Sequence, residues 1–379
     1  MRALRVIVVG GGIGGMAAAI ALHRRGHDVQ VWERAAAVGA AGSGLTLWPN
    51  GLRALDAIGV GAEVRSRAMA DTEGGIRDRS GRWLTRTDTE TVADRYGPVV
   101  AIHRADLFDI LRTALGENRL RLGVTVTGVD NEEPAVRVLR AGGAESADLV
   151  VGADGLRSVV RTAVCPHARP PRYAGYTAWR MVTEPLADLR QGGQIWGSGE
   201  IFGIVPLADH RVYMFGAVNA AEGEHAPDGE FAEVRRRFGE WPDPVPRLLG
   251  AVSPDSVMRH DIYRLPDLPT FVRGRVALLG DAAHAMTPNM GQGANLALED
   301  AVTLAALLDH GGIDDALRRY DALRRPRTRA LAHRSRRIGT VAQWSWTPAV
   351  RARDTALRLM PGWAMPRAFA RALDWTPPA

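Results

Sequence analysis

The chain has 379 residues and a mass of 40.9 kDa, with 46% hydrophobic and 24% charged residues. That mixture excludes a predominantly disordered chain, and a single cysteine, Cys165, excludes a disulfide-stapled scaffold. The net charge is +6 and all 48 basic residues are arginine, which removes every lysine-dependent chemistry from consideration.

Residues 4–9 read as a short buried strand that runs into Gly10, Gly11, Gly12, Ile13, Gly14 and Gly15. Residues 16–25 follow as an alanine-rich helix, and residues 28–32 as a second strand ending at Glu33. Gly10, Gly12 and Gly15 satisfy GxGxxG, in which a side chain would obstruct the turn, the pyrophosphate or the strand–helix contact. The helix start offers amide donors to phosphate, and Glu33 stands at the right distance for a ribose diol. The pattern indicates a dinucleotide without choosing between FAD and NAD.

Residues 50–58 predict a helix with Asn50 as N-cap, and residues 104–115 a clearer one with Leu107, Phe108, Leu111 and Leu115 at helical spacing. Short alternating strands over residues 120–151 deliver the chain to Gly152, Ala153, Asp154 and Gly155. A capped surface turn competes there with a ligand-binding one. Residues 172–270 change character to short Tyr-, Trp-, Val- and Phe-rich strands punctuated by Gly and Pro, with one helix over 231–238. Residues 276–279 resume a buried strand into Gly280 and Asp281, where the carboxylate can bind a polyol. The segment Gly291, Gln292, Gly293, Ala294, Asn295 then offers closely spaced amides at the start of a helix over 294–308. Helical pattern continues from Ala316, where Pro326 should break or kink it or begin a second unit.

Charge is uneven along this order. Residues 316–337 carry nine arginines and one acid, a net of +8; the residues beyond contribute +3, leaving −5 for the rest. An acidic body with a basic tail is a poor match for a nucleic-acid binder. A solvated helical face is the plainest reading of the arginines. Trp344, Trp346, Trp363 and Trp375 are expected to pack a terminal helical lid or subunit contact. The amino terminus lacks an export-cleavage pattern and no apolar run predicts a membrane span, so a cytoplasmic location without stable membrane insertion is expected. The histidines form no HExxH and one cysteine cannot form CxxC, so no metal site is predicted. There is no GxSxG elbow either.

Together, the GxGxxG, Asp154–Gly155 and Gly280–Asp281 fingerprints, in that order, strongly resemble the group A flavoprotein monooxygenases, the single-component FAD-dependent aromatic hydroxylases. The resemblance runs from residue 6 to about residue 337. It implies that Gly10, Gly12, Gly15 and Glu33 hold the ADP part of FAD, that Asp154 and Gly155 serve FAD and nicotinamide nucleotide, and that Gly280 and Asp281 meet the ribityl and phosphate region. It further implies that Arg104 contacts FAD and that Ser43, Gly44 and Leu45 lie beside the isoalloxazine, with Arg53 close behind. Gly293 and Ala294 are expected at the flavin pyrimidine edge, with Gly291 among the cofactor-binding residues and Pro288 at the oxygen pocket, whereas His284 reads as a structural support of that loop.

The implied fold is α/β with a β-rich insertion: a glutathione-reductase-like FAD module over residues 1–171 and 271–337, a substrate module over 172–270, and a terminal packing segment over 338–379. A small contribution of the first part to the substrate domain is allowed. Implied chemistry is reduction of FAD by NADH or NADPH, oxygen capture as a flavin C4a-hydroperoxide, and hydroxylation of an aromatic or heteroaromatic small molecule. Epoxidation, flavin oxidation without oxygen insertion and a non-catalytic flavin-binding interaction protein are the alternatives. Substrate-contact candidates are Arg180, Trp196, Phe202, Ile204, Tyr213 and Phe215; the catalytic proton-transfer residues are unknown, and a monomer or a homodimer is expected.

Overall fold

The structure, a computed structural model, describes residues 2–37, 42–70, 74–87, 89–132, 135–186, 189, 192–361 and 364–378; Trp363 lies outside them. Its first layer is a six-stranded sheet in the order Val272–Arg273, Val276–Leu278, Leu149–Gly152, Arg5–Val9, Asp28–Trp32, Leu120–Arg121. All neighbours are parallel except the first pair. A parallel sheet must be covered on both faces, which explains why Val6, Val8, Val29, Val31, Leu149, Val150 and Val151 are all buried. Helix Ile13–His23 covers one face and lies against helix Gly293–Leu308. Their close approach requires Gly14, because a Cβ there would meet Leu279 Cδ1 at 2.9 Å and Ala297 Cβ at 3.0 Å. Strand Val276–Leu278 thus returns, after a long excursion, to pair with Leu149–Gly152.

The excursion builds a seven-stranded sheet in the order Met258–Arg264, Arg172–Val182, Val212–Asn219, Glu200–Pro206, Gly193–Trp196, Gly74–Asp78, Trp83–Thr87. Residues 74–87 therefore contribute two strands from the amino-terminal half. Period-two alternation gives this sheet two different faces. On the outer face Trp179, Met181, Ile195, Phe202, Ile204, Met214 and Val218 pack with Val234, Phe238, Trp241 and Leu248 from the covering helices Glu230–Phe238 and Val245–Gly250 and the loop between them. The inner face presents Tyr176, Ala178, Arg180, Tyr213, Phe215 and Ala217, which share the pleat with Val205 and Ile201 across the ladder.

Two local expectations are corrected. Helix Pro49–Ala57 begins one residue earlier than predicted, with Trp48 at its N-cap, so Asn50 sits inside the helix with its side chain buried in a polar network. Helix Ile313–Ala342 continues through Pro326, so the expected break or second start does not occur there. Proline forfeits one backbone bond there, but the flanking turns are anchored by the fully buried Tyr320, Arg324 and Thr328. The chain ends in helices Thr347–Arg358 and Ala364–Leu373. Trp375 packs in the main core, whereas Trp346 stays 72% exposed. Among the described residues no helix is long and apolar enough to cross a membrane.

Candidate active site

Four sequence motifs emerge from the carboxyl edges of four adjacent parallel strands: Gly10–Gly15 after Arg5–Val9, Glu33 after Asp28–Trp32, Asp154–Gly155 after Leu149–Gly152, and Gly280–Asp281 after Val276–Leu278. That edge is where open α/β sheets bind ligands. Gly10 has φ +108°, and a Cβ on it would lie 2.3 Å from the Ala153 carbonyl oxygen. The glycine turn and the Asp154 turn are thus in direct contact. Gly15 is equally constrained, since a Cβ would sit 1.9 Å from Gly10 O.

The residues fit a dinucleotide. Gly12, at the N-cap of helix Ile13–His23, has no side-chain cap and nothing within 4 Å of where a Cβ would be, so its helix amides open onto free space. Gly293, at the head of helix Gly293–Leu308, is open in the same way. Glu33 accepts hydrogen bonds from Gly11 N at 2.7 Å and Ala35 N at 2.9 Å, which aims the carboxylate at the turn. Asp154 Oδ2 accepts from Val159 N and Val160 N, while its buried Oδ1 has no partner among the described residues.

Where this edge approaches the inner face of the large sheet, several cationic groups gather. Arg104, at the start of helix Arg104–Leu115, is exposed and has no ion-pair partner among the described residues. Desolvation by the surrounding protein and then Arg180 lower its pKa, while Asp281 and Tyr213 act in the opposite sense, so all four groups share one field. His260, across the ladder from Ala178, is likewise lowered by burial and by Arg180 and Arg104. Arg180 has one long hydrogen bond, 3.5 Å to Tyr213 Oη. Phe215 is its direct cross-strand neighbour. Tyr213 in turn packs on Gly44, where a Cβ would lie 2.6 Å from Tyr213 Cβ. Ser43 O accepts from Arg104 N at 2.9 Å, and Leu45 leans on the main core. Pro288 is exposed and begins a short 3-10 turn whose Asn289 accepts from Tyr176 Oη at 3.0 Å.

Three substrate expectations change. Phe202 and Ile204 fall on the outer pleat, with Phe202 5.1 Å from Phe238, on the side away from the motifs. Trp196 is buried beneath helix Thr347–Arg358, with the Arg353 guanidinium 5.4 Å from its ring. Arg53 donates to the carbonyls of Tyr96, Leu373 and Trp375, so it holds the terminal segment.

Sequence reasoning missed a buried ion network behind the Gly280–Asp281 turn. Glu299 and Asp300 are fully buried, and Arg324 bridges them at 2.6 Å to each. Asp300 Oδ2 also lies 2.5 Å from His284 Nε2 and accepts from Gly280 N at 3.0 Å. His284 is thus a structural support, with its ring also against Phe271. Asn50 Nδ2 joins Glu299 to Gln292. The missed signal was an acid pair in a helix apolar on every side, which has no solvated face to offer it.

Comparison with known proteins decides the family. A family model described as an FAD binding domain matches residues 3–335. The chain belongs to the FAD-dependent aromatic-hydroxylase family. It is 36% identical over 381 residues to the aurachin C monooxygenase/isomerase of Stigmatella aurantiaca, covering 99% of both chains. It is 36% identical over 375 residues to the 3-amino-4-hydroxybenzoate 2-monooxygenase of Streptomyces cremeus, covering 94% of this chain and 92% of that one. The solved structure of Klebsiella pneumoniae HpxO with FAD and uric acid superposes with a TM-score of 0.91 at 30% identity, covering 97% and 96% of the two chains. The protein is an FAD-dependent monooxygenase.

Proposed function

We propose that the protein uses NADH or NADPH and dioxygen to hydroxylate an aromatic or heteroaromatic small molecule that carries a polar ring substituent. The reading is supported by one observation: Arg180 and Tyr213, beside Phe215 on the inner sheet face, share one electrostatic field with Arg104 and with Asp281 of the motif edge. Bound FAD supplies hydride acceptance from the reduced nucleotide and, with dioxygen, the electrophilic oxygen. One oxygen atom replaces a ring hydrogen as hydroxyl; the other leaves as water with two protons, and the nucleotide is the two-electron reductant.

The chain's residues bind, orient and exclude water. The amides at Gly12 and Gly15 take the pyrophosphate and Glu33 the ribose. Asp154, Gly155, Gly280 and Asp281 line the extended middle of the cofactor, Arg104 contacts it, and Gly291, Gly293 and Ala294 offer backbone donors to the ring edge. Ser43, Gly44, Leu45 and Pro288 wall the reacting volume. Arg180 and Tyr213 donate hydrogen bonds to the ring substituent, and Phe215 stacks beside it. Both donors sit on central strands paired on each side, so they are held in place before the substrate arrives. We infer a glutathione-reductase-like FAD module in two parts, residues 1–171 and 271–337, with the substrate module at 172–270 joined by the two strands of residues 74–87. Relatives named for quinolone, urate and aminohydroxybenzoate chemistry support a planar aromatic or heteroaromatic substrate.

The test is a substrate panel followed at once for flavin spectrum, reduced-nucleotide consumption and incorporation of one atom from labelled dioxygen. Substrate-dependent consumption with label in the product is the expected result. Stoichiometric peroxide without labelled product from every ring compound would overturn the hydroxylase reading.

A further inference from the structure

The last helix, Ala364–Leu373, is fastened to the body in an unusual way. The four final carbonyls of a helix have no partner within it. Here Ala370 O accepts from Asp374 N at 2.8 Å, Arg371 O and Ala372 O accept from Arg327 at 2.7 and 2.9 Å, and Leu373 O accepts from Arg53 at 2.7 Å. Cations at a helix carboxyl end are also favoured by its dipole. Arg327 is doubly engaged, because Nε and Nη2 each donate to Glu299 at 2.7 Å.

From Glu299 the connection continues to the proposed flavin edge. Asn50 Nδ2 donates to Glu299 Oε1 at 2.7 Å and to Gln292 Oε1 at 3.0 Å. A second route runs beside the first. Phe369 stacks on Trp48 at 5.3 Å, Trp48 N donates to Asn295 Oδ1 at 3.0 Å, and Asn295 Nδ2 donates to Gly291 O at 2.8 Å. Gly291 itself closes on Trp48, where a Cβ would lie 3.1 Å from Nε1. Both routes end on the segment Gly291–Ala294, so its geometry and the docking of the last helix share one set of contacts.

We propose that Arg327 is a positioning residue that couples docking of helix Ala364–Leu373 to FAD binding at residues 291–294. The inference rests on the cofactor assignment above. By linkage the coupling is reciprocal: FAD tightens the helix as much as the docked helix tightens FAD.

The experiment is amide hydrogen exchange of the full chain with and without saturating FAD, together with FAD titration by flavin fluorescence. In the wild type, FAD should slow exchange over residues 364–373 by roughly tenfold, within the ordinary range of site couplings. Arg327→Met should weaken FAD binding and shrink that difference, and Arg327→Lys should restore part of it by keeping the charge without the fork. Phe369→Leu, which leaves the ion network whole, should reduce the difference by the second route even if Arg327→Met does not fold. Equal exchange with and without FAD in the wild type overturns the coupling, as does full FAD-dependent protection in Arg327→Met. Failure of the wild type to bind FAD at all would instead overturn the cofactor reading, so the two failures are distinct.

Discussion

Replacing Arg324 by methionine removes the cation shared by two carboxylates that no solvent reaches. Arg324 Nη1 meets Glu299 Oε2 and Nε meets Asp300 Oδ1, both at 2.6 Å. Deleting one partner of a buried pair costs about 3–5 kcal/mol, because the other charge stays behind. Partial replacements exist: Glu299 keeps Arg327 and Asn50, and Asp300 keeps His284 and the Gly280 amide. The lower end, about 3 kcal/mol, is therefore expected. With an unfolding entropy of about 2.1 cal/mol/K per residue, a chain of this length loses about 4 °C of Tm. Acid pH gives an independent reading. Burial pushes the Asp300 carboxyl up, but the charges of His284 and Arg324 and the bonds from His284 and Gly280 N outweigh it, holding the pKa at about 2 against 3.8. A depressed folded pKa contributes stability above pH 3.8 that is lost as pH falls toward about 2. That contribution is on the order of 2 kcal/mol. Without Arg324 the depression shrinks, so the acid limb of stability should move to higher pH. Thermal melts of both proteins between about pH 2 and 7 check both effects. Equal Tm values with superimposable acid limbs would show that the network carries no net stabilisation and refute the reasoning.

Arg180→Met should raise KM for the preferred ring substrate by about 10–100-fold, the loss of a charged hydrogen bond of ~1.5–3 kcal/mol, with the flavin spectrum unchanged; steady-state kinetics beside an FAD titration checks it. Gly10→Ala must hold a non-glycine residue at φ +108° with its Cβ 2.3 Å from Ala153 O. Strain of ~1–3 kcal/mol plus that clash should release FAD on gel filtration at concentrations where the wild type stays yellow. Phe202→Ala should cost about 3–5 kcal/mol in urea denaturation, yet leave substrate KM unchanged, because its ring lies in the outer core with Phe238 and Trp241. A KM change as large as that of Arg180→Met would put Phe202 back at the substrate face.

What the sequence made legible was local chemistry. Gly10 and Gly280 occupy positive-φ turns that few other residues adopt, and each turn follows a short apolar strand, so composition and order together located the carboxyl edge of the sheet. Helix Arg104–Leu115 is legible at its observed bounds because its apolar spacing acts within one or two turns; the His103 cap, which accepts from Ala105 N, emerges only in the structure. What stayed hidden depends on distant partners. Phe202 and Tyr213 are equally aromatic on adjacent strands, and only the register between Val212–Asn219 and Glu200–Pro206 turns one outward and the other inward. A one-residue shift would exchange those faces. Asn50 looked like a helix cap because its partners, Glu299 and Gln292, are more than 240 residues away in the chain.

The arginine-rich tail shows the same dependence on tertiary context. As a run of charge it reads as a solvated face, and part of it is: Arg336 and Arg337 are exposed, with no carboxylate within ion-pair distance among the described residues. Most of the rest is spent inward or on neighbours. Arg324 and Arg327 neutralise the buried acids, Arg325 pairs with Asp321, Arg329 with Asp267 and Arg318 with Asp315. A lysine would serve poorly at the first two positions, since each fork makes several directed bonds that a single ammonium cannot match. The wholly arginine composition therefore suits a fold in which one long helix ties the carboxyl edge of the parallel sheet, the start of helix Gly293–Leu308 and the chain's last helix to a common pair of buried carboxylates.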